Sequence, residues 1–249
     1  MGFHSYIRAV GTGPKSNREL TKDETIDAIE SILNQSVYSE QIAAFLLGWR
    51  VRLETVEELK TTLEVCNKYI KRVKIPNSIE LGYPFDGKAD NPYLLPLISK
   101  YLKKFDLNLV VSGDEIQPAK KGLTIKQLYE NIEFDDNIFY FDRADYFKEL
   151  SNLTKIRNIL GLRTAFHTVE KLLNPGTSDY AVNAAFHKPY VAKYNQIFGN
   201  NYKNLIIVKG NEGTPEIFSK CKYWQTIDGK ITEYIIDPEY FGINYKKST

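Results

Sequence analysis

Apolar residues recur at helical spacing through residues 1–71 and at strand spacing beyond them. Ile26, Ile29, Ile32 and Leu33 form one stripe behind Thr21-Lys22-Asp23-Glu24, a capping box in which Thr and Glu satisfy the first free N–H groups of a helix. Ile42, Phe45, Leu46 and Trp49 repeat the i, i+3, i+4, i+7 pattern after Ser39, the expected cap of a second helix. A third stripe, Leu59, Leu63 and Cys66, follows the box Thr55 to Glu58. The three stripes predict a small helical unit over 1–71, with the apolar faces as its core. Gly11-Thr12-Gly13-Pro14-Lys15-Ser16 has the look of a phosphate loop, but no strand precedes it, and it reads as a surface turn.

After Lys74-Ile75-Pro76-Asn77 short β-rich runs alternate with helical patterns. Strands are predicted at 78–81, 108–111, 137–141, 205–208 and 231–236, and helices near 92–105, 124–131, 143–150, 164–173 and 189–198. Such alternation implies a mainly parallel sheet flanked by helices. The fold class expected is therefore α/β: a small all-helical domain, 1–71, joined to a larger, mainly parallel-sheet domain, 72–249.

Ligands of such sheets bind outside the carboxyl ends of the strands. Three loops follow a predicted strand directly: Gly82 to Lys88, Ser112-Gly113-Asp114, and Lys209 to Gly213. In the first, Gly82 and Gly87 allow close backbone approach, Lys88 carries a positive charge, and Asp86 can face a ribose hydroxyl or a metal. Asn91 and Pro92 are expected to open the next helix, whose N-terminus would favour an anion. The loop is neither a Walker A sequence nor a GxGxxG fingerprint.

Composition narrows the classes little. The chain has 249 residues, 43% hydrophobic and 26% charged, with net charge +2, so bulk charge argues for neither nucleic acid nor membrane as partner. Cys66 and Cys221 form no zinc pattern and no disulfide framework, which makes a reducing cytoplasm the expected location. No apolar run is long enough to span a bilayer, and the start lacks a signal-peptide core. His4, His167 and His187 are far apart in sequence, against a His-based metal site.

Gln41 to Arg50, followed by Glu54 to Leu59, resembles the N-terminal helices of the anthranilate phosphoribosyltransferase family. Arg157-Asn158-Ile159-Leu160-Gly161-Leu162-Arg163-Thr164, then Leu172-Leu173-Asn174-Pro175, resembles its second hallmark, and Asp237-Pro238-Glu239-Tyr240-Phe241-Gly242-Ile243 a third. The family fold is a small helical domain hinged to a larger α/β domain, and the resemblance implies that 145–173 packs back onto the helical domain. The catalytic motifs depart from the family's. Its Gly-Thr-Gly-Gly-Asp loop is replaced by Gly82-Tyr83-Pro84-Phe85-Asp86-Gly87, where Pro84 lacks an N–H. Its Lys-His-Gly-Asn falls on Val111-Ser112-Gly113-Asp114, and its Asp-Glu metal pair on Pro215-Glu216. Arg157 matches an acceptor-binding arginine. The chain thus resembles a divergent second-branch paralogue, in which a Pro-Tyr-Asp-Gly-Arg type loop stands in for the glycine-rich one.

The resemblance implies a divergent glycosyltransferase of the phosphoribosyl type, a pentosyl transferase if active. It would bind a phosphorylated sugar such as phosphoribosyl pyrophosphate at the domain cleft and dimerise through the helical domain. Arg157 and Asp86 are the candidate catalytic residues. Gly82, Gly87, Lys88, Gly113 and Asp114 are the candidate phosphate-binding residues, with Glu212 and Glu216 as holders of Mg²⁺. The alternative is a catalytically inactive nucleic-acid-binding paralogue, with Lys103, Lys104, Lys120 and Lys121 on phosphates and tyrosines such as Tyr101 on bases.

Overall fold

The structure, a computed structural model, describes residues 2–185 and 188–245. Met1, Phe186, His187 and residues 246–249 lie outside the described residues, so the reading of His187 against a metal site falls there. Four helices open the chain: α1 (His4–Gly11), α2 (Lys22–Leu33), α3 (Ser39–Arg52) and α4 (Val56–Cys66). The boxes at Thr21 and Thr55 form as expected, each Thr accepting from the N3 backbone and each Glu reaching back to the cap N–H. Helix α3 begins at Ser39, but the residue before it, Tyr38, is the cap, and Gln41 accepts its N–H. The helix α1 escaped the periodicity reading because it is short; it buries Tyr6, Ala9 and Val10 against α3.

The sheet carries β1 (Ser78–Leu81), β2 (Asn108–Gly113), β3 (Ile138–Asp142), β4 (Tyr180–Ala184), β5 (Asn204–Val208), β6 (Cys221–Ile227) and β7 (Lys230–Ile236). Their order is β3-β2-β1-β4-β5-β6-β7. The first five are parallel neighbours, while β6 and β7 add as an antiparallel hairpin. Five strands answer the predicted runs. The other two have different reasons for being missed: β4, Tyr-Ala-Val-Asn-Ala, has little β-branched content, and β6 alternates buried Trp224 and Thr226 with polar residues.

Between the strands run α5 (Leu95–Leu102), α6 (Ile125–Asn131), α7 (Arg143–Tyr146), α8 (Lys148–Ser151), α9 (Thr154–Leu160), α10 (Phe166–Val169) and α11 (Pro189–Phe198). The stretch 143–150 is two helices because Phe147 leaves helical geometry, at φ −149° and ψ 66°. Residues 91–94 remain loop, since their N–H groups serve carboxylates of another loop; the proline in the first turn of α5 is Pro96.

One hydrophobic cluster joins both parts of the molecule. Ile29, Phe45, Trp49 and Leu63 of the helical bundle pack in it with Phe147, Leu150, Phe166 and Val169, and with Ala181, Leu205 and Ile207 of the sheet. The opposite face of the sheet holds a second cluster, Leu81, Leu109, Val111 and Ile138 with Leu95, Ile125 and Leu128 of α5 and α6. The parallel strands are thus covered on both faces, with their connecting loops gathered at the carboxyl ends. Among the described residues, no helix is long and apolar enough to cross a membrane.

Candidate functional site

The loops after β1, β2 and β5 meet at that carboxyl edge, and two glutamates tie the loop after β5 to the loop after β1. Glu216 sits fully buried. Its Oε1 accepts from the Tyr83 hydroxyl at 3.0 Å and from the Leu94 N–H at 2.6 Å, and its Oε2 from the Lys88 ammonium. Lys88 Nζ also donates to the Pro92 carbonyl at 2.7 Å and lies 4.6 Å from the centre of the Phe218 ring. The charge expected to face a ligand is therefore turned inward and neutralised. Glu212 reaches across from the loop after β5. Its Oε1 accepts the N–H groups of Ala89 (2.7 Å) and Asp90 (3.0 Å), and its Oε2 the Asn91 N–H (3.1 Å) and Nδ2 (3.2 Å). Burial works to raise the Glu212 carboxyl's pKa, but the N–H groups of Ala89 and Asp90 overcome it and hold the group below its ordinary value.

The first loop does not present its N–H groups as a cradle. Those of Gly82, Tyr83, Gly87 and Lys88 donate to the carbonyls of Val182, Leu81, Pro84 and Leu123. The loop's glycines serve close packing instead. A Cβ on Gly82 would stand 2.7 Å from Asn183 Oδ1 and 3.2 Å from the Lys171 carbonyl, and one on Gly87, at φ +79°, would run into the carbonyl of Gly122. Asp86 is buried and takes the guanidinium of Arg163, with Arg163 Nε at 3.0 Å; Arg163 is half exposed.

Behind the loops lies a buried ionic network. Arg143 bridges Asp114 and Glu170, and Arg157 meets Glu170 in a two-pronged contact, Nη1 to Oε2 at 2.8 Å and Nη2 to Oε1 at 2.9 Å. Asp114 also accepts from the Ser151 hydroxyl at 3.1 Å, and Gly113, ending β2, is packed under Tyr140. Both arginines are 0% exposed. Arg157, expected at an acceptor, is sealed from solvent. His167 Nδ1 accepts from Thr164 N–H at 3.0 Å and sits 2.9 Å from Arg157 Nη2, so its ring is neutral with the proton on Nε2. Burial, then the Arg157 charge, pushes this imidazole down to about 3.

Sequence reasoning also missed Lys171. Its ammonium is buried and donates to the carbonyls of Ala184 (2.9 Å) and Gly213 (3.1 Å), with no carboxylate in ion-pair range among the described residues. Burial pushes it down to about 7, against the attraction of Asp86. Nothing in the periodicity flags it, because it follows the helix that buries Phe166 and Val169 and reads as a surface lysine.

The four lysines weighed for nucleic acid have separate engagements. Lys103 pairs with Asp136 at 2.5 Å, Lys104 stands 5.8 Å from the Tyr101 ring centre, Lys120 donates to the Glu212 carbonyl at 2.7 Å, and Lys121 is exposed.

Comparison with known proteins places this geometry. A family model described as "Glycosyl transferase family, helical bundle domain" matches residues 4–66, which span α1 to α4. An uncharacterized protein of Aquifex aeolicus is 30% identical over 239 aligned residues, covering 92% of this chain and 75% of the relative. An anthranilate phosphoribosyltransferase of Neisseria meningitidis is 27% identical over 252, covering 94% and 71%. The chain belongs to the anthranilate phosphoribosyltransferase family. It is a divergent paralogue within it. Among solved structures, the anthranilate phosphoribosyltransferase of Thermus thermophilus matches with a TM-score of 0.73 at 15% identity, over 98% of this chain and 75% of that one. The Saccharomyces cerevisiae enzyme, in complex with phosphoribosyl pyrophosphate and Mg, matches with 0.69 at 14%, over 97% and 74%. At these identities the likeness is one of fold: helical bundle plus larger sheet domain.

The carboxylates expected to hold Mg²⁺ do not fit that task. Both oxygens of Glu212 and both of Glu216 already accept from N–H, O–H or ammonium donors, and no group of three His, Cys, Asp or Glu among the described residues is arranged around a metal-sized space.

Proposed function

We propose that the chain binds a phosphorylated sugar such as phosphoribosyl pyrophosphate at the carboxyl edge of its sheet, as a divergent glycosyltransferase of the phosphoribosyl type. The observation that carries this reading is the tying of the loops after β1 and β5 by Glu212 and Glu216, with Asp86, Arg163 and Lys120 alongside, in a chain of this family. Carbocation-like transfer at a sugar carbon depends on anchoring the leaving anion and positioning the acceptor, so a charged, rigid loop edge is the feature that matters. The sealing of Arg157 by Glu170 argues that a carboxylate acceptor is not held by that arginine, and so that anthranilate is not the substrate. Mg²⁺ enters this reading only as the counter-ion of the ligand's phosphates. The division into a helical domain, 1–71 with 145–173 packed upon it, and a sheet domain, 72–249, is part of the proposal, and supports a cleft between them.

Calorimetric titration with phosphoribosyl pyrophosphate in the presence of Mg²⁺ tests it. Saturable heat, abolished by excess inorganic pyrophosphate, is expected; no heat and no thermal shift at millimolar ligand would refute it.

A further inference from the structure

The contact made by Glu212 is that of a bound anion. One carboxylate receives three successive main-chain N–H groups, Ala89, Asp90 and Asn91, plus the Asn91 side-chain amide, at 2.7 to 3.2 Å. Successive main-chain N–H groups in a turn form a nest, a concavity that binds anions such as phosphate. Ala89 and Asp90 are exposed, so the nest opens to solvent. The occupant is supplied by a distant part of the chain, more than a hundred residues on. Glu212 is held there in the left-handed region, at φ 56°, with its own carbonyl pinned by Lys120 and the next one by Lys171. A non-glycine residue rarely adopts that conformation, and here the nest contact accompanies it.

We propose that the Ala89–Asn91 nest is a receptor for a phosphate or pyrophosphate group, and that Glu212 is its internal stand-in, displaced when the ligand binds. The ligand's class follows from the reading above, on which this proposal rests. A phosphate brings more charge and more acceptor oxygens than a carboxylate, and Lys120, next to Glu212, supplies a cation for the extra oxygens. Displacement leaves the Glu212 carboxylate to water, a low-cost exchange at an exposed rim. The loop after β5 then becomes the element that senses occupancy. The loop after β1 has no glycine-rich cradle, and the N–H groups suited to an anion lie a few residues later, at 89–91, where Glu212 occupies them.

The role is opposite in sign to that of a metal ligand or a simple loop brace, and removal of Glu212 distinguishes them. Glu212→Ala and Glu212→Gln are titrated with inorganic pyrophosphate in the presence of a chelator, alongside the unaltered protein. Both variants are expected to bind pyrophosphate on the order of tenfold more tightly, since the competing charge-assisted bonds are gone. Asn91→Leu placed on the Glu212→Ala background is expected to remove most of that gain. Equal or weaker pyrophosphate binding by both variants, with the thermal midpoint retained, overturns the proposal. The phosphoribosyl pyrophosphate titration of the unaltered protein reports separately on the ligand reading. Binding there without a gain in the variants defeats the nest alone. A gain in the variants without binding there defeats the ligand reading alone.

Discussion

At the scale of single residues, the site is governed by charges that find partners inside the chain. Glu170 is the clearest case, since it holds two fully buried arginines. Burial alone would raise its carboxyl's pKa, but the guanidinium charges of Arg157 and Arg143 overcome it and hold it at about 2. Replacing it by Gln strands Arg157 without a counter-charge, and breaking a buried pair this way costs about 3–5 kcal/mol. Urea unfolding of Glu170→Gln is expected to show a loss in that range; a loss below about 1 kcal/mol would mean the network is not as sealed as described. The pH dependence has a definite sign. His167 and Glu170 are both depressed in the folded chain, so the stability they contribute is complete above their ordinary values of 6.5 and 4.5. It is lost as pH falls towards about 3 and about 2 respectively. Glu80 acts in the other direction: burial raises it to about 7, so it favours the fold as pH falls from 7 to 4.5. Comparison with a His167→Asn variant isolates the histidine. Between pH 6.5 and 5 the unaltered protein should lose stability relative to that variant, and parallel urea midpoints across the window would contradict the neutral-imidazole assignment.

At the scale of elements, the loops are positioned by close backbone approach as much as by side chains. Lys88 and Leu123 exchange two main-chain hydrogen bonds, both 2.9 Å, and Gly87 leaves room for Gly122 there. Gly87→Ala combines a left-handed φ with a collision against backbone, so it should destabilise the chain by more than the ~1 kcal/mol of an ordinary glycine-to-alanine strain. A thermal midpoint unchanged in that variant would show that the loop has room to shift. Elements marked by strong periodicity or by capping chemistry were legible: α2, α3 and α4, and the strands β1, β2, β3, β5 and β7. The short α1, the Ala- and Asn-containing β4 and the half-polar β6 were not, because tertiary pairing supplies what their own propensity lacks. The placement of the candidate loops was legible, but their wiring was not. The loops at Gly82, Gly113 and Glu212 do stand at one sheet edge, yet Lys88–Glu216, Arg157–Glu170 and Glu212 with its nest join residues 13 to 128 positions apart, and no local pattern encodes such pairs.

Across the whole molecule, the helical bundle and the sheet share one apolar cluster, so the bundle is packed into the body of the protein rather than appended to it. Its outer side carries exposed Leu47, Val51 and Leu53 at the end of α3, with Ile159 on α9, which packs against α3, and Leu162 just after it. Hydrogen exchange with and without phosphoribosyl pyrophosphate probes the proposed phosphorylated-sugar site at the carboxyl edge of the sheet. Ligand-dependent protection is expected in peptides covering 82–92, 114–123 and 209–216, with little change in α2 and α4. Protection absent from those three loops, or concentrated on the outer side of α3 and α9, would contradict it.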